Sequence, residues 1–297
     1  MANTDNKPAL IDWLTLIFLM FVWGSSFIFI KKGLIAFSPL QVGALRVGLS
    51  FIVLLPFTIS RLKRVEKGDI KFFILAGLLG NGIPAFLFAI AQTRLDSFMA
   101  GILNSLTPVF TLVVGILFFG IRARWFNILG VFIGLIGAVG LLWSSSNGNI
   151  SLNIFYSLAV IAATICYAFN MNIVKRFLSK YDTVTIVSVA FLFIGIPALI
   201  FIFTFTDFLM VMQAGNQSWI SLGYIVILAF VGTSLAVILN VRIIKRTSAV
   251  FASSVTYLMP LVSIMWGVLD GEAFLLIFIL WIIVILGGVY MANRRGV

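Results

Sequence analysis

Asp96-Ser97-Phe98-Met99-Ala100-Gly101-Ile102-Leu103-Asn104-Ser105-Leu106-Thr107-Pro108 runs on to Gly115. A second stretch, Ser248-Ala249-Val250-Phe251-Ala252-Ser253-Ser254-Val255-Thr256-Tyr257-Leu258-Met259-Pro260, runs on to Gly267. Laid over each other without a gap, Ala100 falls on Ala252, Leu106 on Leu258, Pro108 on Pro260, Gly115 on Gly267 and Leu117 on Leu269. Each copy is an apolar, helix-length run with small residues first and a proline near its middle. Such a proline removes one backbone hydrogen bond and bends a helix. In lipid the freed carbonyl needs another partner, so the bend faces protein or a water-filled cavity. Two bent helices at matching places in two halves point to a transport site, with Pro108 and Pro260 as its hinges. The bland alternative is a chance match between apolar helices, and the neighbouring sequence decides against it.

The chain has 297 residues, of which 62% are hydrophobic and 10% charged. A soluble domain is nearer half apolar and a quarter charged. This composition describes an all-α integral membrane protein. The net charge of +11 is spread over loops, so it reads as membrane topology rather than a nucleic-acid surface. The single cysteine, Cys166, excludes a disulfide framework, and the absence of histidine removes the commonest metal ligand and general base. No metal, no cofactor and no nucleic-acid partner is expected. The expected partners are a small-molecule substrate and the lipid bilayer. The sequence leaves the oligomeric state open, and a monomer is compatible with it.

A bilayer span needs about 20 mostly apolar residues. Ten segments qualify: 12–30, 40–60, 71–91, 97–119, 125–143, 152–172, 183–204, 218–240, 248–269 and 273–292. With the N-terminus inside, sixteen of the twenty Lys and Arg fall on the inner side, three on the outer side, and Arg46 within segment 2. That bias predicts two cytoplasmic termini and the cytoplasmic (inner) membrane of a bacterium. The pairing extends further: Gly80-Asn81 falls on Gly232-Thr233, and Trp23, Ser26, Lys31 and Lys32 fall on Tyr167, Asn170, Lys175 and Arg176. Segment 6 therefore starts opposite segment 1, and the chain divides into two inverted five-helix repeats. The expected boundaries are 1–144, an external linker 145–151, and 152–297.

Trp23-Gly24-Ser25-Ser26-Phe27, Arg46, Leu106-Thr107-Pro108, Leu258-Met259-Pro260 and Gly271-Glu272, together with this architecture, carry a resemblance. The chain resembles the drug/metabolite transporter superfamily, and within it the EamA-like exporters, over nearly its whole length. The resemblance implies efflux of small metabolites from a central cavity lined mainly by segments 1, 3, 4, 6, 8 and 9. One departure is visible: the family often repeats Gly-Glu after segment 4, where this chain has Phe119-Gly120.

Polar residues inside apolar segments must find a partner or face water. Asn81, Ala85, Phe88 and Gln92 share one face of segment 3, and Thr233, Val237, Asn240 and Ile244 form the matching face of segment 8. Asn104 joins Pro108 in segment 4; Thr256 and Tyr257 join Pro260 in segment 9. Segment 1 offers Trp23 and Ser26, and segment 6 offers Tyr167 and Asn170. Aromatic walls with a few neutral hydrogen-bonding groups suit an amino acid or similar amphiphile. Each residue has a plainer reading as glue between helices. Arg46 either snorkels to the headgroups or meets a substrate carboxylate. Segment 2 is usually peripheral in the resembled fold, so snorkelling is expected. The alternatives to a secondary exporter are a membrane enzyme, for which no nucleophile, base or metal constellation is visible, and a non-transporting assembly or sensor protein.

Overall fold

A computed structural model describes residues 8–122, 124–145 and 150–293. Most of the linker, including Asn147, lies outside the described residues. All ten apolar segments are helical over most of their length, and the described residues contain no strand. Eight helices are long and apolar enough to cross a membrane: Leu10–Gly33, Pro39–Arg64, Lys67–Ala91, Ser97–Phe119, Ile154–Phe177, Thr183–Thr204, Asn216–Arg246 and Ala249–Leu269. Two shorter apolar helices occupy segments 5 and 10, over Trp125–Leu141 and Ile277–Ala292. Segment 8 runs past its predicted end to Arg246, because Lys and Arg extend a helix from lipid into the headgroups and suit its C-terminus.

The helices pack pairwise with an approximate internal symmetry. Segment 2 lies on its mate 7 and segment 5 on its mate 10, while segment 1 packs on 9 as segment 6 packs on 4. Small residues let these backbones touch. A Cβ on Gly130 would lie 2.3 Å from the Ala292 amide nitrogen, and one on Gly288 would lie 2.3 Å from the Gly134 amide.

Four segments are interrupted, in matched pairs. Segment 3 carries a π turn at Leu78–Gly82 and segment 8 carries one at Leu228–Leu235. These are the places where Gly80-Asn81 pairs with Gly232-Thr233. In segment 8 the longer turn is held by side chains: the Thr233 hydroxyl donates to the Leu228 carbonyl at 3.0 Å and the Ser234 hydroxyl to the Ala229 carbonyl at 3.0 Å.

The prolines are placed differently from the bent-helix expectation. Segment 4 is broken between Ser97–Asn104 and Thr107–Phe119, and segment 9 passes through a 3-10 turn at Ser254–Tyr257 before Met259–Leu269. Pro108 and Pro260 sit in the first turn of the second pieces, where a missing N–H costs no intrahelical bond. The Asn104 carbonyl, expected to be free, accepts the Thr107 hydroxyl at 2.7 Å.

Candidate functional site

The interruptions of segments 3, 4 and 9 line one cavity, and the π turn of segment 8 touches its wall through Trp23. The cavity encloses about 730 Å³ of empty space, its open mouth included. Nine of the twelve residues singled out from sequence line it: Trp23, Ser26, Asn81, Phe88, Asn104, Tyr167, Asn170, Asn240 and Thr256.

Trp23 and Ser26 lie three apart on segment 1, so both face the bundle. The Trp23 indole nitrogen donates to the Gly232 carbonyl at 2.9 Å, fixing the ring against the π turn of segment 8. The symmetry mates touch the other π turn: a Cβ on Gly80 would lie 2.7 Å from the Asn170 amide nitrogen, as one on Gly232 would lie 3.0 Å from the Ser26 hydroxyl. Only glycine fits such an approach without displacing the polar group. Phe88 stacks on Tyr167 with ring centroids 6.0 Å apart and meets Phe27 edge-on at 5.7 Å, giving an aromatic wall. Across it, Asn104 points at Met259 (Nδ2 to Sδ 3.7 Å), so the two helix breaks face each other. The Asn240 side-chain oxygen is buried without a hydrogen-bond partner.

Three predicted residues lie outside the cavity wall, each engaged elsewhere. The Gln92 amide donates to the Phe27 carbonyl at 2.9 Å and ties segment 3 to segment 1. The Thr233 hydroxyl is turned into its own π turn. The Tyr257 hydroxyl donates to the Val289 carbonyl at 3.1 Å on segment 10.

Arg46 corrects the snorkelling expectation. It is 8% exposed and lines the cavity, its Nε donating to the Thr233 hydroxyl at 2.9 Å and its guanidinium interacting with the Tyr167 phenol. Segment 2 thus adds a wall that the resemblance does not include. The signal was present in the sequence: an arginine inside an apolar run with no acid at matching depth. Apolar lining residues such as Ile30, Met171 and Met259 carried no such signal.

A smaller hollow of about 250 Å³ adjoins, sharing Asn81, Asn170, Val237 and Val241 with the cavity and reaching Ala76, Val174 and Val187. Ion pairs close both ends of the bundle. At one end Lys31 meets Glu272 at 2.7 Å and Asp270 at 2.8 Å, and Lys32 also pairs with Asp270. Burial opposes charge on Asp270, but the two lysines outweigh it and hold its carboxyl below the usual range. At the other end Lys180 meets Glu66 and Asp69, both at 2.8 Å, Arg246 meets Asp12 at 3.2 Å, and the Tyr181 hydroxyl donates to Asp69 at 2.6 Å. Burial and the Asp69 carboxylate push the Tyr181 phenol up.

Comparison with known proteins places this architecture. The model of the EamA-like transporter family matches residues 11–143 and again residues 154–294. The chain is 26% identical over 257 residues to the uncharacterized inner membrane transporter YedA of Escherichia coli K12, covering 86% of this chain and 81% of YedA. It is 26% identical over 186 residues to an uncharacterized transporter of Archaeoglobus fulgidus, 62% of this chain. That match spans 65% of the relative, just under two thirds of its length. A solved crystal structure shares the fold, with a TM-score of 0.67 at 18% identity over 96% of this chain and 97% of the other. Two copies of the family's repeat, apolar helices throughout and a polar-lined cavity between them agree: this multi-pass membrane protein belongs to the EamA-like transporter family.

Proposed function

We propose that the chain is a secondary transporter that exports small amphiphilic metabolites, amino acids or similar solutes, across the cytoplasmic membrane of a bacterium by alternating access. The cavity carries the reading. Its aromatic wall and neutral amides suit a solute with one apolar and one polar part. In this reading the ten helices form two inverted five-helix repeats with both termini cytoplasmic. The ends tied by Lys31 and Lys180 are then the outer and inner gates. The helix breaks before Pro108 and Pro260 are the hinges. YedA, named an inner membrane transporter, supports the localisation.

Counterflow in proteoliposomes tests this. Purified protein should exchange a labelled solute from a panel of amino acids and aromatic acids against the same unlabelled solute. No exchange with any of them refutes the reading.

A further inference from the structure

We infer that Arg46 is an anion-binding residue of the cavity and that the transported solute presents a carboxylate to it. The inference rests on the transport reading above and names the chemistry of its substrate.

Among the described residues lining the cavity, Arg46 alone carries a full charge. None of the described carboxylates pairs with it. Asp12, Glu66, Asp69, Asp182, Asp270 and Glu272 are spent on lysines and arginines at the segment ends, Asp207 accepts from Gln41, and Asp96 lies beside Glu272. A charged side chain inside an apolar span is costly and marks a functional site by default. The structure holds Arg46 with neutral groups. The Thr233 hydroxyl spends its proton on the Leu228 carbonyl and therefore offers only a lone pair to the Arg46 Nε. This contact orients the guanidinium plane without neutralising it. A guanidinium has five N–H donors in a fixed fork. With Nε on the Thr233 hydroxyl and the Tyr167 phenol taking a further N–H, the remaining N–H groups of the fork are left for a carboxylate. One positive charge matches one monoanion, and this favours a carboxylate over a doubly charged phosphate.

The aromatic wall of Phe88 and Tyr167 stands beside Arg46 and suits an apolar group on the same solute.

The test uses the full chain and four probes: 4-hydroxyphenylacetate, L-tyrosine and their primary amides. Phenylglyoxal modifies accessible arginines, and peptide mass spectrometry reads Arg46 separately from loop arginines. Arg46 should be modified through the cavity, and the two acids should slow its modification severalfold while the amides do not. An Arg46 that never reacts, equal protection by acids and amides, or protection by neither overturns the inference. In counterflow, Arg46→Met should lose about tenfold or more of acid exchange, the range of a charge-assisted hydrogen bond, and Arg46→Lys should retain part. The unfolding midpoint of each variant separates loss of binding from loss of fold; if Arg46→Met does not fold, the labelling and Arg46→Lys decide. Should no probe or panel solute cross in the wild type, the transport reading falls and the labelling still decides Arg46. Should acids and amides cross alike with Arg46→Met normal, transport stands and the anion site falls.

Discussion

Replacement of Glu272 should destabilise the protein more than any other loop carboxylate substitution. Its side chain is 1% exposed and accepts three bonds: from Lys31 at 2.7 Å, from the Ser97 amide at 2.9 Å and from the Phe98 amide at 3.3 Å. A carboxylate of the second repeat thus caps a helix of the first. Asp96, the residue at the N-cap position, makes no side-chain cap bond of its own. The helix Ser97–Asn104 needs this because its first amides have no intrahelical acceptor. A hydrogen bond to a charged acceptor contributes about 1.5–3 kcal/mol, with the longer Phe98 contact at the low end. Lys31 is 34% exposed, so its ion pair adds ~1 kcal/mol at most. Glu272→Ala should therefore cost about 4 kcal/mol. Glu272→Gln should cost about 2 kcal/mol, since its amide oxygen keeps one N–H and its nitrogen opposes the other. Asp270→Asn is the control: that side chain is 17% exposed, has lysines as its charged partners, and should cost under about 1 kcal/mol. Denaturant unfolding in mixed micelles measures all three. If Glu272→Ala and Asp270→Asn fall together within about 0.5 kcal/mol, the capping argument is wrong.

The remaining predictions concern the ends, the hinges and the cavity. Burial first, and Glu272 beside it, raise the Asp96 carboxyl above its ordinary 3.8. Its stabilising form is the protonated one, so that stability is present below 3.8 and lost as pH rises; Asp96→Asn should stabilise at neutral pH, with the gain vanishing below about pH 4 in unfolding titrations. In a Cys166→Ser background, Asn147→Cys should react with an impermeant thiol reagent from outside and Lys67→Cys should not; the reverse pattern removes the inverted topology. Pro108→Ala and Pro260→Ala each restore an N–H that lets a helix grow back across its break. Each should slow turnover in proteoliposomes while ligand binding survives, with mouth accessibility shifting in opposite directions; normal turnover in both removes the hinges. Asn81→Leu, Asn104→Leu and Asn170→Leu should each cut flux severalfold with near-normal expression, and full flux in all three makes these residues packing glue.

The apolar runs and the repeat made the helices and their pairing legible, because hydropathy acts on whole segments. The cavity was legible where a segment follows α-helical periodicity, as at Trp23 and Ser26 or Tyr167 and Asn170. It failed next to the irregular turns. Thr233 was placed on a face with Asn240 by counting 3.6 residues per turn, but the π turn between Leu228 and Leu235 rotates it away. Gln92 was misread because it lies past the end of the regular helix, where its amide serves the neighbouring backbone. Arg46 was misread because segment 2 was treated as peripheral, whereas the side chain reaches inward to Thr233. The Phe119-Gly120 departure also has a physical account. A Cβ on Gly267 would lie 2.4 Å from the Glu272 carboxylate, while one on its mate Gly115 would lie 2.6 Å from the Ile121 side chain. An apolar plug fills the first half's niche, and Ser248 caps the matching helix itself, accepting from the Phe251 amide at 3.0 Å.

The paired π turns give the gene a reading-frame property at the level of helices. Each turn carries surplus length relative to an α-helix. Deleting one codon within 78–82 lets the backbone close into an unbroken helix with every amide bonded, so length and topology survive. Residues downstream keep their facing, because the residue removed is the one the wide turn absorbs. The same deletion in a regular stretch turns everything downstream by about 100° and takes Phe88 out of the aromatic wall. Two homologues can therefore differ in length at a turn and still present the same residues to the solute. Alignments of this family need their gaps placed at the turns before any cavity residue is compared.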